Sequence, residues 1–189
     1  MSVSGQLIDP SWQRRLTADE YHRMIDAAVF DEDEHLELLE GVIVAMSPQG
    51  ARHALVIERL NRILLRSLGD EFRVRPQLPL TLSNDSEPEP DLAVVAAGSA
   101  DDAPHPRTAL LVIEVATESL ARDRGPKALL YARTDVSEYW IVNLVDGCIE
   151  VYRDPDVASG RYRTQTTHTG ATITAGSVAV TIDVGELLR

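Results

Sequence analysis

The sequence predicts an α/β fold, a mixed central β-sheet flanked by helices, in a single domain spanning residues 1–189. Three observations predict it. Residues 91–96 and 110–116 are short apolar, β-rich runs, as expected of buried central strands. Ile57, Leu60, Leu64 and Leu68 recur at helical spacing within residues 51–68, with Val56 and Ile63 beside them. The stretches 137–143 and 148–153 flank Asp146-Gly147, which is the pattern of a β-hairpin.

The remaining elements follow from local chemistry. Residues 17–28 read as a short helix, with Thr17 as N-cap and Glu20 completing a capping box. Residues 36–46 read as a strand pair or one long strand, with Gly41 at a turn or bulge. Met46 to Gly50 is a loop. Gly69 stops the 51–68 helix, and strands are expected near 72–75 and 78–82. Asn84 to Pro90 is an acidic, Pro-rich loop, and 97–108 is a surface loop. A helix near 121–133 tolerates Pro126 only in its first turn, so its regular part should begin around Asp123 to Gly125. Residues 161–182 are Thr- and Val-rich and read as β, and Asp183 to Leu188 as a last helical turn.

Composition narrows the function. The chain has 189 residues, enough for a sizeable core, and its apolar runs are too short to span a bilayer. The start, Met1 to Gln6, has no basic region followed by an apolar stretch, so no signal peptide is expected and a cytoplasmic location is. A lone cysteine, Cys148, excludes an internal disulfide. The net charge of −12 argues against a nucleic-acid coat protein but not against a nuclease. Phosphate-cradling Gly-rich loops, nucleophile elbows and zinc-ligand spacings are absent from the sequence.

One constellation carries chemistry. Glu114 is a lone carboxylate among six apolar neighbours, so it must be paired, protonated or bound to a cation. Asp91 opens the neighbouring apolar run behind Pro88 and Pro90. On adjacent strands the two carboxylates meet, and a divalent cation such as Mg²⁺ relieves their repulsion. Lys127 is the only lysine in the chain. Strand alternation places Val112, Glu114 and Ala116 on one face, so Lys127 has to reach in from the following helix, with Tyr131 on the same helical face. An ordinary Asp123–Lys127 surface pair is the competing reading. Glu37 and Glu40 are both candidates for a third carboxylate that positions water or a cation. His53 is either a core histidine or a neighbour of the site. Arg59, Arg62 and Arg66 gather opposite the apolar stripe of the 51–68 helix, as a phosphate-contacting face or as a solvated one. Tyr139, Trp140, Ile141 and Tyr152 on the 137–153 hairpin offer either core packing or a dimer contact.

At these residues the chain resembles the Uma family of restriction endonucleases, within the PD-(D/E)xK nuclease superfamily. The matching segments are Glu37-Leu38-Leu39-Glu40-Gly41, Met46-Ser47-Pro48 with His53, Glu89-Pro90-Asp91, Glu114 to Leu120, Asp123 to Lys127 with Tyr131, and Glu138 to Val142. They run in family order. Asn143 departs from the pattern, where relatives often have Asp. The resemblance implies a restriction-endonuclease-like fold and a homodimer. It implies Mg²⁺, with Mn²⁺ as substitute, on Asp91, Glu114 and the Val115 carbonyl. Lys127 is then the displaced superfamily lysine, and Glu37 or Glu40 the early acidic position. The reading is a metal-dependent endonuclease acting on nucleic acid, DNA first. Its alternatives are a catalytically silent homodimeric interaction module and a hydrolase of a small phosphodiester.

Overall fold

A computed structural model describes residues 12–31, 33–98 and 105–189. The segment Met1 to Gln6, Glu32 and half of the predicted 97–108 loop (residues 99–104) lie outside these residues. The chain enters through α1 (Ala18–Asp26), where Thr17 and Glu20 form the predicted capping box. β1 (Leu36–Leu39) and β2 (Val42–Ala45) then pair antiparallel. Their turn needs left-handed backbone at Glu40 and Gly41 (φ 48° and 76°). The ambiguous 36–46 stretch is thus a tight hairpin. α2 (Ala51–Ser67) buries Val56, Ile57, Leu60 and Leu64, the predicted stripe.

β3 (Phe72–Pro76), β4 (Leu92–Ala96), β5 (Leu111–Ala116), β6 (Glu138–Asn143), β7 (Cys148–Asp156) and β8 (Arg161–His168) form one six-stranded sheet in that order. Only β5 and β6 run parallel among its neighbours. A parallel pair needs a crossover, and α3 (Leu120–Arg122) and α4 (Ala128–Arg133) supply it. β9 (Thr172–Ala175) and β10 (Val180–Asp183) make a separate hairpin, followed by α5 (Val184–Leu187).

The sheet carries a core on each face. Leu92, Val94, Ile113 and Val115 point toward α2 and the C-terminal hairpin. Ala93, Val95, Val112 and Ala116 point toward α4, Leu80 and Leu82. Among the described residues, no helix is long and apolar enough to cross a membrane.

Two expectations are corrected and one open alternative is decided. Residues 78–82 do not form a strand: Leu80 and Leu82 hydrogen-bond across their own loop to Pro88 and Ser86 and fill the core instead. The helix after β5 begins at Leu120, well before Pro126. The proline is accommodated because Asp123–Lys127 is a π-helical turn, in which Ala128 N–H reaches back to Asp123 O. Finally, Tyr139, Trp140, Ile141 and Tyr152 are buried within the sheet's two cores. They are unavailable as a dimer surface.

Candidate active site

The site forms where β4 begins and β5 ends. The β4–β5 register pairs Leu92 with Ile113, so one further step puts Asp91 opposite Glu114. At Asp91 the ladder has stopped, and the carboxylate takes over a backbone role: its Oδ2 accepts the Val115 N–H at 2.7 Å. His53, at the start of α2, places Nε2 3.2 Å from the same oxygen. Glu114 lies on the face toward α4. Lys127 Nζ is 2.9 Å from Glu114 Oε1, and the Tyr131 hydroxyl donates to that oxygen at 2.7 Å.

The π-helical turn makes this reach possible. It carries Asp123 and Lys127 on its inner side, both buried. Lys127 Nζ also lies 3.0 Å from Glu37 Oε2. Glu37 is fixed in turn by the Glu89 N–H at 3.3 Å, while Arg122 stands 3.8 Å from its other oxygen. One cleft of about 40 Å³ is lined by Glu37, His53, Asp91, Glu114, Val115, Asp123 and Lys127, among others. It has room for about one ion or water.

The electrostatics are under-compensated. Four carboxylates, from Glu37, Asp91, Glu114 and Asp123, share the Lys127 ammonium, the Arg122 guanidinium at its 3.8 Å reach to Glu37, and the His53 imidazole beside Asp91. Burial pushes the Glu114 carboxyl up to about 8; Lys127 opposes this, while Asp123, Asp91 and Glu37 reinforce it. Asp123 is raised as well, by burial, against the pull of Lys127. Burial would lower Lys127, but Glu114, Glu37 and Asp123 hold it well above the ordinary lysine value. His53 is lowered by burial and raised more strongly by Asp91 and the Val115 backbone, for a net rise.

These residues fit a divalent cation. Asp123 Oδ2 and Glu37 Oε1 are buried with no hydrogen-bond partner. The bonds to Asp91 and Glu114 use only one oxygen of each. Hard oxygen ligands, excess negative charge and space for a small ion are what Mg²⁺ requires.

The structure thus brings Asp91, Glu114, Lys127, Glu37, His53 and the backbone of Val115 together. It separates Glu40, which turns outward at the β1–β2 corner and pairs with Arg133 at 2.9 Å. It also separates Arg59, Arg62 and Arg66, which share a groove with Thr172, Asp183 and Glu186. Arg59 donates to the Leu187 carbonyl at 3.0 Å, and Arg62 faces Glu58 at 3.6 Å. Asp123 and Arg122 are site residues that the sequence reading missed. A signal for Asp123 was present: it stands one helical turn before Lys127, so a buried lysine carries it inward too.

Comparison with known proteins shows the family and the fold. Residues 18–184 match the family model "Uma2: Putative restriction endonuclease". A similar solved structure is that of a "putative nuclease belonging to DUF820" from Anabaena variabilis ATCC 29413. It shares 14% identity at a TM-score of 0.71, over 92% of this chain and 97% of that one. That likeness establishes the fold, a restriction-endonuclease-like mixed sheet flanked by helices. No curated protein sequence matches.

Proposed function

The chain belongs to the Uma2 restriction-endonuclease family, and on that premise we propose that it is a metal-dependent endonuclease cleaving phosphodiester bonds of DNA. One observation carries the reading: the under-compensated pair of Asp91 and Glu114, with the only lysine of the chain bound to Glu114. Asp91, Glu114 and the Val115 carbonyl would hold Mg²⁺ or Mn²⁺. When bound, the cation supplies Lewis-acid polarisation of the phosphate and acidifies water.

The chain's own groups do the rest. Val115 N–H and His53 orient Asp91, and Tyr131 and Lys127 orient Glu114. Lys127, held between Glu37 and Glu114, offers its ammonium protons to the attacking water and to charge building on the phosphate. Glu37 keeps that ammonium in place. Asp123 has a free buried oxygen to accept a proton or a water.

A specific feature favours a second reading, a small phosphodiester as substrate. The wide groove that continues from the cleft past Met46 to Gln49 is lined by Asp33, Glu34 and Glu89, which repel a polyanion. Arg62 and Arg66 are proposed as distant phosphate contacts that offset this. By helix rise Arg66 lies roughly 20 Å from His53.

The test is cleavage of supercoiled plasmid, linear duplex, single-stranded DNA and RNA, beside bis(p-nitrophenyl) phosphate, with Mg²⁺ or Mn²⁺. Nicking of DNA by the wild type but not by Asp91→Ala supports the proposal. Turnover of the small ester alone transfers it to the second reading. Cleavage that survives in Lys127→Ala removes the lysine from the mechanism.

A further inference from the structure

We propose that His22, Glu87 and His105 form a second metal site, apart from the catalytic cleft, that binds a transition-metal dication of the Zn²⁺ type. The three residues come from α1, from the loop leading to β4 and from the segment before β5. Each offers one ligand atom, and these atoms all lie within 4.8 Å of one another. Among the described residues this is the one group of three metal-binding side chains that meets this spacing.

Glu87 is preset for the role. It is buried, and Thr81 Oγ1 donates to its Oε2 at 2.5 Å, leaving Oε1 toward the imidazoles. Its backbone exchanges two hydrogen bonds with Leu38, which fixes its direction. Such outer bonds orient metal-ligating carboxylates. His22 Nε2 already lies 2.7 Å from Oε1, and His105 keeps a buried Nδ1 with no partner.

Two imidazoles and one carboxylate select borderline metals over Mg²⁺, which prefers oxygen alone. A zinc tetrahedron with bonds near 2.0 Å needs about 3.3 Å between ligand atoms. His22 must therefore swing outward by about half an ångström, and its side chain is 32% exposed and free to do so. The fourth position opens onto a cleft of about 370 Å³ lined by Tyr21, Asp26 and Pro79, among others. A water completes the coordination there.

The site bears on the catalytic cleft through the chain. Glu87 pairs with Leu38, next to Glu37, and two residues later Glu89 N–H holds Glu37. Asp91 follows. A filled site braces α1 and the His105 segment against the strap that carries Asp91 and holds Glu37.

The experiment uses the full chain in Mg²⁺-free buffer, with Zn²⁺ and Co²⁺ as the probes. Three proteins are compared: wild type, the His22→Gln/His105→Gln double variant, and the cleft variant Asp91→Ala/Glu114→Gln. Wild type and cleft variant should show visible Co²⁺ bands of nitrogen-ligated, low-coordinate metal, and Zn²⁺ should raise the Tm of both. The histidine variant should lose the bands and bind Zn²⁺ about 100-fold more weakly or worse, since even losing a residue that only orients a ligand costs about 10–100-fold. Both histidines are partly exposed, so metal-free melting should match wild type. If it does not, His105→Gln alone serves with the same readouts. Unchanged bands and Zn²⁺ affinity in the histidine variants would overturn the proposal. So would their loss in the cleft variant alone.

Discussion

Glu114 on β5 and Glu150 on β7 are the same residue at nearly the same depth, 5% and 3% exposed. Their surroundings differ in kind. Glu150 receives three contacts from the Arg124 guanidinium, one from Asn143 and one from the Tyr152 hydroxyl. Burial pushes its carboxyl up, but Arg124 and Asn143 outweigh that and hold it below the ordinary value. Glu138 on β6 is satisfied in the same way by Trp140, Arg153 and Ser177 N–H. Glu114 instead shares one lysine with Glu37 and Asp123 and ends up raised. A buried carboxylate that is fully matched belongs to the scaffold. One left short of positive charge is where the proposed cation would sit.

The largest test of this contrast is catalytic. Glu114→Gln and Asp91→Ala should each cut DNA cleavage by about 10³-fold or more, the scale on which removing a single electrostatic catalytic group is felt. Glu150→Gln should leave turnover within about tenfold of wild type, because its partners lie outside the proposed chemistry. Equal losses in both variants, measured by plasmid nicking, would dissolve the distinction.

Stability should reverse the order. Arg124→Gln strands Glu150 and should cost about 2 kcal/mol, less than for a fully buried pair because Arg124 is 44% exposed. Glu114→Gln should stabilise the metal-free protein. The sign follows from proton binding: Glu114 is raised in the folded state, so its contribution is fully present below its unfolded value of about 4.5. That contribution is lost as pH rises through about 8. Glutamine has no proton to lose. Denaturant melts should show little gain near pH 4.5 and the largest gain above pH 8. A Glu114→Gln protein less stable than wild type at high pH would contradict this.

Metal linkage gives an effect of similar size. Mg²⁺ at about 100 times its Kd should add about 2.7 kcal/mol to the wild type. Arg124→Gln should keep that gain and Glu114→Gln should lose it. Calorimetric melts with and without Mg²⁺ measure it, and a gain retained by Glu114→Gln would place the cation elsewhere.

Much of this contrast was legible in the sequence, and the reasons are local. A carboxylate inside Leu110 to Ala116 announces a buried charge, and a single lysine in an arginine-rich chain announces a particular need. The adjacency of the 91–96 and 110–116 runs was correctly anticipated, and the register supplied the meeting point. What stayed hidden depends on long-range geometry. Glu37 and Glu40 are three residues apart, and only the left-handed turn at Glu40 sends one inward and the other out. Pro126 pointed to a helix start, because a π-helical turn leaves no mark that propensity can read. Trp140 and Tyr152 stayed open between core packing and a dimer contact, because periodicity cannot reveal that both faces of β6 are covered.

The smallest effects concern the arginines of α2, and the contrast sharpens what to expect of them. In the β6–β7 region guanidinium groups are consumed by the scaffold, as Arg124 and Arg153 show. Arg59 follows that pattern, since its N–H bond closes the last turn of α5 at Leu187. Arg59→Gln should therefore lower stability by about 1 kcal/mol, the worth of one such bond, and leave the salt dependence of DNA binding alone. Arg62 is 51% exposed in its side chain and, among the described residues, pairs with Glu58 alone, one turn away on its own helix. Pairs of that kind are weak, so the guanidinium is free to exchange its partner for a phosphate. Arg62→Gln and Arg66→Gln should leave melting unchanged and each reduce the slope of log K against log[salt] by about 1. Binding titrations of an uncleaved duplex across salt concentrations, with Ca²⁺ replacing Mg²⁺, would read this directly. An unchanged slope in the Arg62→Gln/Arg66→Gln double variant would assign the whole helix face to solvent, and any DNA would then have to be held by groups around the cleft.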